Sequence, residues 1–148
     1  MEHTEEYLAS KRQPGQTYRI VDALDPHEMN TGPFYWRRRD EDGLKFAFVA
    51  EQKHCNSGGI VHGGLLMTFA DMVMCVAGQE GTNDQGVFTI SFNSEFIASA
   101  KVGETVKART EVTRRTGRMA FIRAEIYTET EMVMTCSAVL RRIPAPVD

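Results

Sequence analysis

The segment from His54 to Gly78, HCNSGGIVHGGLLMTFADMVMCVAG, carries most of the residues in this chain that could do chemistry. Asp71 stands in an apolar run from Leu65 to Ala77 that only Asp71 and Thr68 interrupt. An ionised carboxylate removed from water without a partner is costly even after the surroundings relax, so Asp71 is expected to have a good partner or a task. Upstream lie Asn56 and the tripeptide His62-Gly63-Gly64. A helix beginning at Gly63-Gly64 would present free backbone N–H groups and a partial positive charge. Glycine lets a ligand approach that backbone closely, and such a site can hold a developing oxyanion. Asn56 and His62 flank it with neutral hydrogen-bonding groups.

The spacing adds a constraint. Asp71 follows Gly63 by two helical turns, roughly 12 Å at the usual helical rise. It is therefore too far away to serve the oxyanion site of its own helix. In a two-fold dimer, Asp71 of one subunit could meet Gly63 of the other. Around a helix Gly64, Thr68, Asp71 and Cys75 fall on one face, so Thr68 and Asp71 look the same way.

The elements that must position these residues are legible in outline. Residues 2–12 pattern as a short helix, acidic early and basic late, ended by Pro14 and Gly15. Residues 16–32 read as irregular with a turn of helix. Phe34–Arg38 and Leu44–Glu51 read as a hairpin about Asp42-Gly43. The helix is expected from near His62 to about Ala77, with Gly78 as its C-terminal cap. Leu65, Leu66, Phe69, Met72, Val73 and Val76 should fill the core. Three or four strands then follow one another: Val87–Ala98, Glu104–Arg115, Met119–Glu129 and Met132–Arg142. In the first, Phe88, Ile90, Phe92 and Phe96 alternate with Thr89, Ser91, Asn93 and Glu95. Short connections predict antiparallel neighbours. A helix so apolar needs cover on several sides, which a strongly curved antiparallel sheet supplies, giving an α+β domain. Open sheet edges invite a second copy.

Composition narrows the function classes. The 148 residues suit one domain with a real core. A net charge of −3 argues against a general nucleic-acid binder. The three cysteines have no framework spacing and read as reduced thiols of a cytoplasmic protein. The opening residues lack the apolar stretch of a signal peptide, and no run approaches a membrane span. Arg114, Arg115 and Arg118 cluster round the Thr116-Gly117 turn, and a charged hairpin tip of this kind is more often solvated than a phosphate site.

Each residue also has a purely structural reading. Gly-Gly can serve tight packing, Asp71 a structural hydrogen bond, and His62 a cap. The Thr68 hydroxyl can bond a helix carbonyl. Cysteine catalysis by Cys55 is disfavoured because its neighbour His54 points the opposite way on extended chain. No close-spaced ligand pair suggests a metal, and no cofactor is expected.

Asn56, His62-Gly63-Gly64 and Asp71, followed by a Thr89–Asn93 strand, resemble the PaaI-like acyl-CoA thioesterases of the hotdog-fold superfamily. The resemblance covers residues 33 to 143. It implies a hotdog domain over 33–148, a curved antiparallel sheet of five to six strands wrapped round one long helix, preceded by an arm over 1–32. It implies hydrolysis of acyl-CoA to a carboxylic acid and CoA in a homodimer or dimer of dimers, with sites between subunits. Asp71 would be general base or nucleophile. The Gly63 N–H, with Gly64, would polarise the carbonyl. Asn56 would orient water or carbonyl, and His62 would support the loop and reach the thioester. Thr89 stands where some relatives have serine. The acyl group would lie beside the helix near Thr68, and the arginines would take the CoA phosphates. A hotdog hydratase or dehydratase and a non-catalytic acyl-CoA binder are the competing readings; the helical Asp71 favours hydrolysis over both.

Overall fold

The computed structural model describes residues 19–21, 24–39 and 43–146. The helix expected over 2–12 lies outside the described residues. The element order is β1 (Arg19–Ile20), α1 (Pro26–Thr31), β2 (Tyr35–Arg39), β3 (Gly43–Val49), a 3₁₀ turn (Gln52–His54), α2 (Gly63–Gln79), β4 (Gly86–Phe96), β5 (Thr105–Arg115), β6 (Met119–Tyr127) and β7 (Met132–Ile143). All strand pairs are antiparallel, in the order β1-β2-β3-β5-β6-β7-β4. The expected α+β architecture is present. One long helix lies against a curved sheet of six strands, and the two-residue β1 extends the edge.

The core forms where the helix meets the sheet. Leu66, Phe69, Met72 and Val73 are buried, as the apolar pattern requires, with Leu65 and Val76 packed partly exposed beside them. Phe34, Phe48 and Phe69 form an aromatic cluster, with centroids 4.9 to 5.5 Å apart. Each fully buried ring contributes roughly 1.5–3 kcal/mol.

Three local expectations are corrected. First, β4 does not lie beside β5. Residues 97–104 carry the chain across, so β5 joins β3 and β4 becomes the far edge beside β7. Bonds from Val61 N–H to Ala100 O and from Ala50 N–H to Glu104 O hold that crossing, at 2.8 and 2.9 Å. Second, β4 does not alternate throughout. A bulge between Thr89 and Ser91 shifts its phase. Thr89 and Phe92 therefore both meet the helix side, while Phe88 and Ile90 remain exposed. Third, Gly78 is not the helix cap. It lies inside the last turn, where a Cβ would come within 2.6 Å of Leu140 Cδ1. A side chain there would have to displace the buried end of Leu140 on β7.

The segment before the hairpin is joined to the sheet. β1 pairs with β2, and Val21 N–H bonds Phe34 O at 3.0 Å. Asp25 caps α1, with its carboxylate accepting from Glu28 N–H at 2.8 Å and Pro26 at the first helical position. His54 fastens the end of this segment. Its Nδ1 accepts from Glu51 N–H at 2.9 Å, so Nε2 carries the proton and donates to Gly32 O at 3.3 Å. The ring is 3% exposed, and burial lowers its pKa from 6.5. It is a structural histidine, engaged at both nitrogens and unavailable to Cys55, whose thiol donates to Glu51 O.

Candidate active site

The Gly64–Thr68–Asp71–Cys75 stripe of α2 lines a groove of about 990 Å³. β4 forms its second wall through Gly86, Val87 and Phe92, and the arm forms a third through Val21, Asp25, His27 and Glu28. Asp71 is half-buried on this open face rather than sealed in the core, so the large penalty anticipated for a wholly buried carboxylate is not incurred. Its partner is Thr89, whose hydroxyl donates to Asp71 Oδ1 at 2.5 Å. The β4 bulge makes this contact possible by bringing Thr89 and Phe92 onto the same side. Thr89 also lies 3.5 Å from Cys75 Sγ.

Cys75 is no nucleophile at neutral pH. Burial, reinforced by the charges of Asp71 and Glu28, pushes its pKa up to about 11 despite the Thr89 bond. Burial likewise pushes Cys136 up to about 12. Among the described residues no group of three His, Cys, Asp or Glu side chains could hold a metal ion.

The helix start is built as follows. His62 is the N-cap, and its Nδ1 accepts from Gly64 N–H at 2.9 Å. Leu65 and Leu66 N–H groups turn back to His62 O at 3.0 and 3.2 Å. Nothing among the described residues accepts from Gly63 N–H. Of the glycine pair, Gly63 therefore retains a free donor while Gly64 is committed to His62. A Cβ on Gly63 would sit 3.2 Å from the Phe96 ring, so a side chain would crowd the β4 end.

Asn56 lies on the exposed loop leading to the helix. Its side-chain oxygen accepts from Gly58 N–H at 2.9 Å, an Asx-type turn closed by Gly59 N–H on Asn56 O and made possible by Gly59 at φ +78°. The outward-facing part is consequently the NH₂, a donor.

Along one chain, Asp71 and Gly63 remain two helical turns apart, about 12 Å of rise. Thr68 bonds Gly64 O at 3.2 Å, the structural role its type suggested, and also faces His27 Nε2 at 3.5 Å. The arginine cluster divides. Arg115 donates to the carbonyls of Ala77, Gly78 and Glu80 at 2.8 to 3.1 Å, sealing the C-terminus of α2. The Arg114 and Arg118 side chains are exposed at the hairpin end. Sequence reasoning missed the arm's share of the groove. Asp25-Pro26 with Glu28 is a helix-start signature, but no sequence period says that this helix would lie over the Asp71 stripe.

Comparisons with known proteins give the following. Residues 58–135 match the family model described as the thioesterase superfamily. A Pseudomonas aeruginosa protein whose name assigns it, provisionally, to the esterases is 34% identical over 109 residues, covering 73% of this chain and 81% of that protein. The PaaI protein of the E. coli phenylacetic acid degradation operon superposes with a TM-score of 0.71 at 16% identity, covering 84% of this chain and 89% of that one. A hypothetical thioesterase of Streptococcus pneumoniae solved with coenzyme A superposes with a TM-score of 0.68 at 14% identity, covering 77% and 88% of the two chains. At these identities the structural likenesses establish the fold.

Proposed function

The chain belongs to the thioesterase superfamily and has its hotdog fold, and from that premise we propose that it is an acyl-CoA thioesterase working as a homodimer. The observation that carries the reading is the pair of half-sites on α2. An aspartate in an open groove is held by a hydroxyl, and a free N–H lies at the start of the same helix, too distant to share one carbonyl with it.

In the proposed site, Asp71 of one subunit faces Gly63 of the partner subunit. As general base, Asp71 takes a proton from water, and the resulting hydroxide attacks the thioester carbonyl. The oxyanion of the tetrahedral intermediate is held by the Gly63 N–H, with the Asn56 NH₂ as a second donor. Collapse expels CoA as its thiolate, which then takes up a proton. As nucleophile, Asp71 would instead form an acyl anhydride that water cleaves. Thr89 fixes the carboxylate in either route. His62 holds Gly64 and the loop, leaving its Nε2 to reach the thioester. General-base assistance is typically worth about 10²–10⁴-fold.

The exposed β4 edge supports self-association. Phe88 is 64% exposed, Ile90 57%, Phe96 54% and Ile97 56%, and edge strands of this kind pair with a second copy. Arg114 and Arg118 are the arginines left to take CoA phosphates, since Arg115 is engaged by the helix. The S. pneumoniae neighbour solved with coenzyme A supports this choice of substrate class. Among the described residues no helix is long and apolar enough to cross a membrane, and three unpaired cysteines suit a reducing, cytoplasmic setting.

The test is Asp71→Asn assayed on a panel of acyl-CoAs by release of free CoA thiol. The expected result is an unchanged melting temperature with a fall in kcat of about 10²-fold or more. Full turnover by the variant would remove Asp71 from the mechanism. Acyl-CoA binding without turnover in the parent protein would replace the enzyme reading with a binding protein.

A further inference from the structure

We infer that His27, carried on the arm rather than on the hotdog scaffold, is a specificity-determining residue that limits the size of the acyl group beside Asp71. The inference rests on the thioesterase reading of the groove and deepens it. Nothing in the chemistry so far described uses His27, which also lies outside the matched residues 58–135. Yet it overhangs the catalytic stripe, with its Nε2 3.5 Å from Thr68 Oγ1. The Thr68 proton is given to Gly64 O at 3.2 Å. The hydroxyl therefore offers His27 a lone pair, and Nε2 is the donating nitrogen.

The placement is built rather than incidental. The strand pair Ile20–Tyr35, the Val21–Phe34 bond, the Asp25 cap and the His54–Gly32 bond fix both ends of the short arm helix. Gly32 has no room for a side chain, since a Cβ would lie 2.6 Å from Glu28 O. The helix thus returns tightly onto the hairpin, with His27 held over the groove.

Thr68 precedes Asp71 by less than one helical turn, about 4.5 Å of rise. An acyl group extending from a carbonyl at Asp71 towards Gly64 therefore meets the imidazole after a few carbon atoms. At 3.5 Å the His27–Thr68 contact is at the outer limit of a hydrogen bond, so it fills space more than it holds. Beyond it, Val21 and the 40%-exposed Met67 offer apolar walls that a longer chain would reach if the ring were removed. Pocket contacts of this kind discriminate by about tenfold or more per methylene.

The experiment compares kcat/KM for a ladder of straight-chain acyl-CoAs with the parent protein, His27→Ala and His27→Trp. The inference expects His27→Ala to raise the long-to-short ratio of kcat/KM about tenfold. His27→Trp is expected to lower that ratio. A loss of rate uniform along the ladder in both variants would make His27 merely structural and overturn the inference. So would an unchanged ratio in both. Absence of hydrolysis by the parent protein on every rung is the separate result that removes the thioesterase reading, and this inference with it.

Discussion

The two ends of the central helix face the same physical problem and resolve it differently. Every α-helix leaves N–H groups unpaired at its start and carbonyls at its finish. At the finish, Arg115 donates to Ala77, Gly78 and Glu80, and Gly78 lets Leu140 pack directly on the last turn. That end is sealed by the chain itself. At the start, His62 satisfies Gly64, the His62 carbonyl satisfies Leu65 and Leu66, and Gly63 is left with its donor free beside an open surface. Both ends use glycine where a Cβ would press on a side chain, Phe96 at Gly63 and Leu140 at Gly78; they differ in which backbone groups the chain leaves unpaired.

Substitutions at the two ends should separate rate from stability. Gly63→Pro removes the free N–H at the first helical position, where proline is well tolerated. It should cost about 10²–10³-fold in kcat, with a modest fall in melting temperature because its Cβ would meet the Phe96 ring at 3.2 Å; undiminished kcat would mean that the Gly63 donor has no part in the reaction. Arg115→Ala should do the reverse. Losing its bonds to the helix carbonyls should cost about 1–3 kcal/mol in denaturant unfolding, while kcat per folded molecule stays near the parent value. A kcat loss at unchanged stability would show that the C-terminal end also serves the chemistry.

His54 provides a smaller, pH-dependent effect. Burial lowers its pKa in the folded protein below 6.5. Below pH 6.5 the unfolded chain takes up a proton that the folded chain resists, so stability is full above that pH and declines as the pH falls towards the lower, folded value. Denaturant midpoints should fall as the pH drops below 6.5, and His54→Gln should flatten that dependence. An equal slope in the variant would assign it to other groups.

Most of the architecture could be read from residue patterns. The apolar run and the Gly63-Gly64 pair before it marked the helix, Asp-Gly marked the hairpin, and the 3.6-residue period placed Thr68, Asp71 and Cys75 on one face. What could not be read depended on contacts distant in sequence. Nothing local says that β4 crosses to the far edge, because a connection over 97–104 is too long to behave as a tight turn and its partners are set by Val61 and Ala50. The bulge at Ile90 breaks the two-residue alternation without a glycine or proline to announce it. Gly78 resembled a cap because Leu140 lies more than sixty positions away in the chain. The arm was set apart for a similar reason: its polar sequence gave no sign that His27 would reach Thr68.

The most direct test of the two half-sites is complementation. Asp71→Ala and Gly63→Pro proteins, each folded and each inactive alone, are unfolded together, refolded as a mixture and assayed for CoA release. Random pairing should make mixed dimers that contain one intact site, restoring about a quarter of the parent activity. If the mixture stays as inactive as either variant while mixed dimers are demonstrably present, Asp71 and Gly63 do not meet across a subunit interface, and the account of a site completed by a second copy is wrong.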